Sequence, residues 1–178
     1  MGKLLVGIML WLTGAAAVWA QGVPDAVLKR LKAAPEPYLD LAADLIHGFG
    51  GPQGIDRAGI ARFVALERAA ARAGALRRVY LADLDFDSTV SREEIAQVAA
   101  AASAAMRGRL WKLHAAADAD GDGVATAVEM AGFAKAEALR AFSVADEAEV
   151  MSVLAFDSDA NGWVDLAEVK AAVAALGI

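Results

Sequence analysis

The chain contains no cysteine, so disulfides, thiolate nucleophiles and thiolate metal sites are excluded, and redox compartment cannot be read from it. It has only two histidines, His47 and His114, which are not at ligand spacing, so zinc and histidine-based catalysis have little to build on. Prolines number four, and the sixteen glycines fall mostly near expected loops. The 58% hydrophobic content is inflated by alanine, the best helix former, and the composition reads as all-helical. At 178 residues there is room for one ordinary domain or two small ones. No nucleophile stands beside a base, so no catalytic residue and no enzymatic activity is expected.

Charge is present but uneven. Residues 21–116 carry 13 Lys+Arg against 11 Asp+Glu, whereas residues 117–178 carry 3 against 12. The acid is concentrated in spaced sets rather than spread over the surface, a pattern that argues for cation binding. In residues 118–129, DADGDGVATAVE, carboxylates stand at positions 1, 3 and 5 (Asp118, Asp120, Asp122), glycine at 6 (Gly123) and glutamate at 12 (Glu129). Ca²⁺ takes about six to eight oxygens, which a short loop supplies only if alternate side chains converge on one point. Gly123 suits the sharp turn, Val124 at position 7 offers a backbone carbonyl, and Glu129 can close the shell with both oxygens.

The same register recurs. Residues 157–168, DSDANGWVDLAE, give Asp157, Asp159, Asn161, the Trp163 carbonyl, Asp165 through water, and Glu168, with Gly162 at position 6. Residues 83–94, DLDFDSTVSREE, give Asp83, Asp85, Asp87, the Thr89 carbonyl, Ser91 and Glu94. There Ser88 replaces glycine at position 6 and must accept a left-handed backbone, at a cost on the order of 1 kcal/mol. A fourth stretch, residues 48–59, has lost nearly every ligand: glycine stands at positions 1 and 3, Pro52 at 5 and Gly59 at 12, and only Asp56 remains, at position 9. Its apolar register survives, since position 8 reads Ile55, Val90, Ala125, Val164 and position 13 reads Ile60, Ile95, Met130, Val169. Such repetition is what helices entering a common core require.

These loops resemble those of the EF-hand superfamily, and the whole chain from about Tyr38 resembles four-hand, calmodulin-like calcium-binding proteins of exported bacterial type. The resemblance implies two pairs of helix–loop–helix hands with short β contacts between position-8 residues. It places Ile55 with Val90 and Ala125 with Val164, so that residues 38–106 form the first pair and 107–178 the second, after an N-terminal helix and linker over 21–37. Three hands would then bind Ca²⁺ and the first would be a structural partner. Lanthanide-selective EF-hand proteins carry proline at loop position 2; Leu84, Ala119 and Ser158 stand there, which keeps Ca²⁺ as the expected ion.

Expected helices run from Pro24 to Ala34, from Tyr38 to His47, and after each loop over 56–72, 91–105, 126–141 and 165–176. Ser143 with Asp146 and Glu147 nearby reads as another helix start, and Gly108 as the join between the pairs. Trp111 and His114 are expected in the core, with the Trp163 ring covering its pair. Arg57, Arg62, Arg68, Arg72, Arg77 and Arg78 form a basic tract better explained as a solvated helix face than as a contact for an acidic partner. Nucleic acid is not expected, because no aromatic interleaving or binding module accompanies the tract. Residues 1–20 read as a secretory signal cleaved after Ala20, which makes the protein exported, periplasmic or secreted; a membrane association is expected only if that segment is kept as an anchor. The function expected is Ca²⁺ binding as an extracytoplasmic buffer or sensor. The alternative is a protein that opens with Ca²⁺ to seize a partner peptide or membrane protein, which the three methionines of the mature chain favour less.

Overall fold

A computed structural model describes residues 23–177, so the expected signal segment and its cleavage point after Ala20 lie outside the described residues. The order is α1 (Asp25–Ala33), α2 (Pro35–Phe49), α3 (Arg57–Tyr80), β1 (Val90–Ser91), α4 (Arg92–Ala100), α5 (Ala104–Ala117), β2 (Val124–Ala125), α6 (Ala127–Ala141), α7 (Val144–Met151), a 3₁₀ turn (Ser152–Phe156) and α8 (Leu166–Ala175). Among the described residues, eight α-helices and one two-stranded antiparallel ribbon make an all-α architecture, as composition implied. Among the described residues no helix is long and apolar enough to cross a membrane.

Local signals account for most of these boundaries. Pro35 and Pro37 end α1, yet Pro35 also opens α2, because the first turn of a helix needs no N–H there and proline's φ is already helical. At α7, Ser143 and Asp146 cap reciprocally: the Ser143 backbone N–H and hydroxyl donate to Asp146 Oδ2, each at 2.7 Å, and the Asp146 N–H donates back to Ser143 Oγ. Asp146 rather than Glu147 is the partner. Several boundaries depart from expectation: α2 begins at Pro35 rather than Tyr38, and α4 ends at Ala100 rather than at 105. α3 does not stop at Arg72 but runs 24 residues to Tyr80, because the flanking alanines outweigh the roughly 1 kcal/mol that a helical Gly74 costs. Gly108 lies inside α5, and α4 and α5 meet at the turn over 101–103, closed by Ser103 as N-cap.

The chain divides into two compact units, one over Ala61–Ala148 and the other formed by residues up to Ile60 together with Glu149 onward. In the first unit, Val79, Ala82, Val90, Ile95, Ala117, Ala125 and Met130 form a buried cluster, with Leu76, Leu110, Leu113 and Phe133 packed partly against it. β1 pairs antiparallel with β2 in the register Val90↔Ala125 and Ser91↔Val124. In the other unit the core holds Leu31, Tyr38, Leu45, Ile46, Ile60, Val153, Phe156 and Val169, with Tyr38 edge-on to Phe156 at 5.9 Å. There Ile55 and Val164 form a two-way bridge, with N···O distances of 2.9 and 2.8 Å.

All four position-8 residues therefore sit fully buried in β contacts, but with partners other than those expected. Val90 pairs with Ala125 and Ile55 with Val164, so the second loop joins the third and the first joins the fourth. The reason lies in the connections. α4 and α5 are separate, packed helices joined by a short turn, which folds their two loops together. Between the first and second loops α3 offers no such turn. Segments accordingly group as above rather than consecutively at 106/107.

Candidate metal centres

Loops 83–94, 118–129 and 157–168 repeat one hydrogen-bond template. The position-1 carboxylate accepts the position-6 N–H: Asp83 from Ser88 at 3.2 Å, Asp118 from Gly123 at 3.1 Å, Asp157 from Gly162 at 2.9 Å. Position 3 accepts from position 5, with Asp85, Asp120 and Asp159 each taking an N–H at 3.1–3.2 Å. Position 5 accepts from position 7: Asp87 from Thr89, Asp122 from Val124 and Asn161 from Trp163, at 2.7, 2.8 and 2.7 Å. Position 12 reaches back across the loop, where Glu94, Glu129 and Glu168 accept the N–H groups of Leu84, Ala119 and Ser158 at 2.8–2.9 Å.

The glutamates have a second task that spacing alone did not bring out. Ser91, Thr126 and Asp165 at position 9 are the N-caps of α4, α6 and α8, and each closes a capping box with the glutamate three residues on. The signal was in the sequence, as [S/T/D]-x-x-E at all three loops. Asp165 is thus committed to its helix N-terminus, with Oδ1 accepting the Glu168 N–H at 2.8 Å. The boxes also set the electrostatics. Hydrogen bonds from the Thr126 backbone and hydroxyl, with others from Asp120 and Ala119, hold Glu129 down at about 2. Burial pushes Glu94 upward, but the bonds it accepts from Ser91, Leu84 and Asp85 together outweigh this and leave it lowered. Asp87 is lowered by the Thr89 hydroxyl and backbone N–H.

The template brings Asp83, Asp85 and Glu94 together, likewise Asp118, Asp120 and Glu129, and Asp157, Asp159 and Glu168; in each group one oxygen per residue lies within 4.8 Å of the others. Asp87 and Asp122 stand outside these groups and face their position-7 amides. Three carboxylates at such spacing repel unless a cation lies among them. Asp83 Oδ1 is buried without a hydrogen-bond partner, an orphaned acceptor of the kind a cation satisfies. Oxygen-only groups of this sort suit hard divalent ions.

Backbone conformation separates the loops. Ser88 takes φ +69°, as expected, but position 4 is also left-handed throughout: Phe86 at +64°, Gly121 at +76° and Ala160 at +59°. The sequence reading missed that requirement. The first loop closes differently, by a tight turn in which the Gly51 and Gly54 backbones bond reciprocally. Asp56 remains as a cap, accepting the Gly59 N–H at 2.7 Å. A Cβ on Gly59 would meet Ile55 Cγ1 and the Phe49 carbonyl at 2.8 Å, so this backbone has no space for a glutamate at position 12.

His114 is packed as expected, 2% exposed, with Nε2 3.0 Å from the Val90 carbonyl, so that α5 is tied to β1. Trp111 is not in the core: Leu110, Leu113, His114 and Ala117 line the inward face of α5, and Trp111 falls off that stripe, 40% exposed. The Trp163 ring is 37% exposed. Part of the arginine tract serves the fold. Arg68 donates to the Phe142 and Ser143 carbonyls and pairs with Glu147 at 2.9 Å, satisfying the C-terminal end of α6. Arg78 pairs with Glu137 at 3.2 Å.

Fold and site together define a mostly helical protein with three acidic groups able to bind metal ions, set beside short β contacts between loops. No family model matches the chain, and no curated protein or solved structure matches it either.

Proposed function

We propose that this is a non-enzymatic Ca²⁺-binding protein of EF-hand type with three binding loops, acting outside the cytoplasm as a buffer or sensor. The observation that carries the reading is the threefold recurrence of one template that gathers two aspartates and a glutamate within 4.8 Å. Asp83, Asp85, Asp87, Glu94 and the Thr89 carbonyl would hold one ion. Asp118, Asp120, Asp122, Glu129 and the Val124 carbonyl would hold a second, and Asp157, Asp159, Asn161, Glu168 and the Trp163 carbonyl a third. Asp165 would act through water, its carboxylate already serving as a cap. A Ca²⁺ ion would offset two of the charges of the gathered carboxylates, and the chain's own part is to pre-arrange them: each aspartate is oriented by the amide two or five residues on, and each glutamate by its capping box. Metal and folding are therefore coupled.

Calorimetric titration of the full chain with Ca²⁺ is expected to give three ions, and fewer than two would overturn the reading. Glu129→Gln and Glu168→Gln should each remove one ion; an unchanged titration would contradict the assignment of those loops.

A further inference from the structure

The three acidic loops share a template, but one of them wears a different surface. At positions 2 and 4, the second loop carries Leu84 and Phe86, where the third has Ala119 and Gly121 and the fourth Ser158 and Ala160. Phe86 is 88% exposed at the left-handed position 4 that all three loops share, and here alone that position carries an aromatic ring. Beside it in sequence, Leu81 is 68% exposed, with Leu84 and Tyr80 also open. Four exposed apolar side chains within residues 80–86 are what a contact surface is built from.

Charge selects the occupant. Residues 77–94 hold three arginines against five carboxylates, a balance of −2, which one divalent ion brings to zero. The equivalent stretches before and through the other loops, 112–129 and 151–168, stand at −3 and −4 and stay negative after one ion. Only at the second loop does loading remove the net negative charge that repels an anionic surface. Exposed Arg77 and Arg92 are then free to meet phosphates, with a Leu/Phe/Tyr tip to enter the headgroup–acyl boundary.

We propose that the tip formed by Tyr80, Leu81, Leu84 and Phe86 docks on an anionic phospholipid bilayer when the 83–94 loop holds its cation. This rests on the Ca²⁺ reading above. Without the ion, Asp85, Asp87 and Glu93 repel anionic headgroups; with it, the apolar tip inserts and the arginines engage phosphate.

The test is sedimentation of the full chain with vesicles of phosphatidylglycerol and phosphatidylcholine, or of phosphatidylcholine alone, with Ca²⁺ or chelator, and with calorimetry in parallel. Phe86→Gly is the informative variant, because it removes the ring while relieving the positive φ, so folding and ion binding are kept or improved. Retention on anionic vesicles is expected to rise with Ca²⁺, and Phe86→Gly with Leu84→Ala to cut that gain by about tenfold or more, while ion stoichiometry is unchanged. A gain that survives the double variant, or that is equal on neutral vesicles, overturns the proposal. No Ca²⁺-dependent retention despite normal ion binding also overturns it, leaving a concave protein partner for the tip. Absence of ion binding would instead bring down the Ca²⁺ reading itself.

Discussion

The loops at 83–94 and 118–129 are neighbours in one unit, paired strand to strand through Val90 and Ala125, and they carry the same Asp-x-Asp-x-Asp ligand set and the same capping box. They differ in what makes that shape possible. The third loop meets its two left-handed positions with Gly121 and Gly123, and the second meets them with Phe86 and Ser88. Equal chelating chemistry thus rests on unequal backbone strain, of about 1–2 kcal/mol per non-glycine residue. Strain of that kind would weaken the second loop as a metal site relative to the third.

The largest effect that bears on this comparison comes from the closing glutamates. Glu94→Gln should empty only the second loop and Glu129→Gln only the third, so that each variant lowers calorimetric stoichiometry by one. If Glu129→Gln removed both ions, the β contact would carry more of the second site than its own carboxylates do. Next come the backbone swaps. Phe86→Gly with Ser88→Gly should raise the affinity of the second loop by roughly tenfold or more, as relief of about 2 kcal/mol implies. Gly123→Ser should weaken the third loop by a smaller factor, with a cost of about 1 kcal/mol in conformation and a Cβ only 3.3 Å from Arg92 Cδ. Titrations in which these substitutions left the order of filling unchanged would remove strain as the distinction.

The smallest effect is in acid. Glu129 is held at about 2 in the folded chain, below the usual glutamate value of 4.5. Its contribution to stability is therefore complete above about pH 4.5 and is lost as pH falls toward 2. In chelator, Glu129 should remain ionised in the folded protein at pH 3.5, observable from its side-chain carboxyl NMR shift. Glu94 is lowered too, because the bonds it accepts outweigh the burial that pushes it upward, so its contribution is likewise lost as acid is added.

Much of this was legible beforehand because it is local. Position-8 and position-13 residues came out buried as the register required, His114 packed where its stripe pointed, and Ser88 took the left-handed backbone that the turn at position 6 requires. Trp111 was misplaced because large apolar side chains were weighed by type, whereas the face of α5 is set by Leu110, Leu113, His114 and Ala117. Arg68 read as one charge in a solvated run, since nothing near it in sequence announces carbonyls 74 and 75 residues away.

By itself the sequence determined the loops: carboxylates, turn residues and caps act within about a dozen residues, and their spacing is their geometry. Tertiary structure alone decided which loop pairs with which. Ile55, Val90, Ala125 and Val164 are all small or branched apolar residues, chemically interchangeable as β partners, so their own identity selects no mate. Selection falls to the connections, to an uninterrupted α3 on one side and a three-residue turn between α4 and α5 on the other.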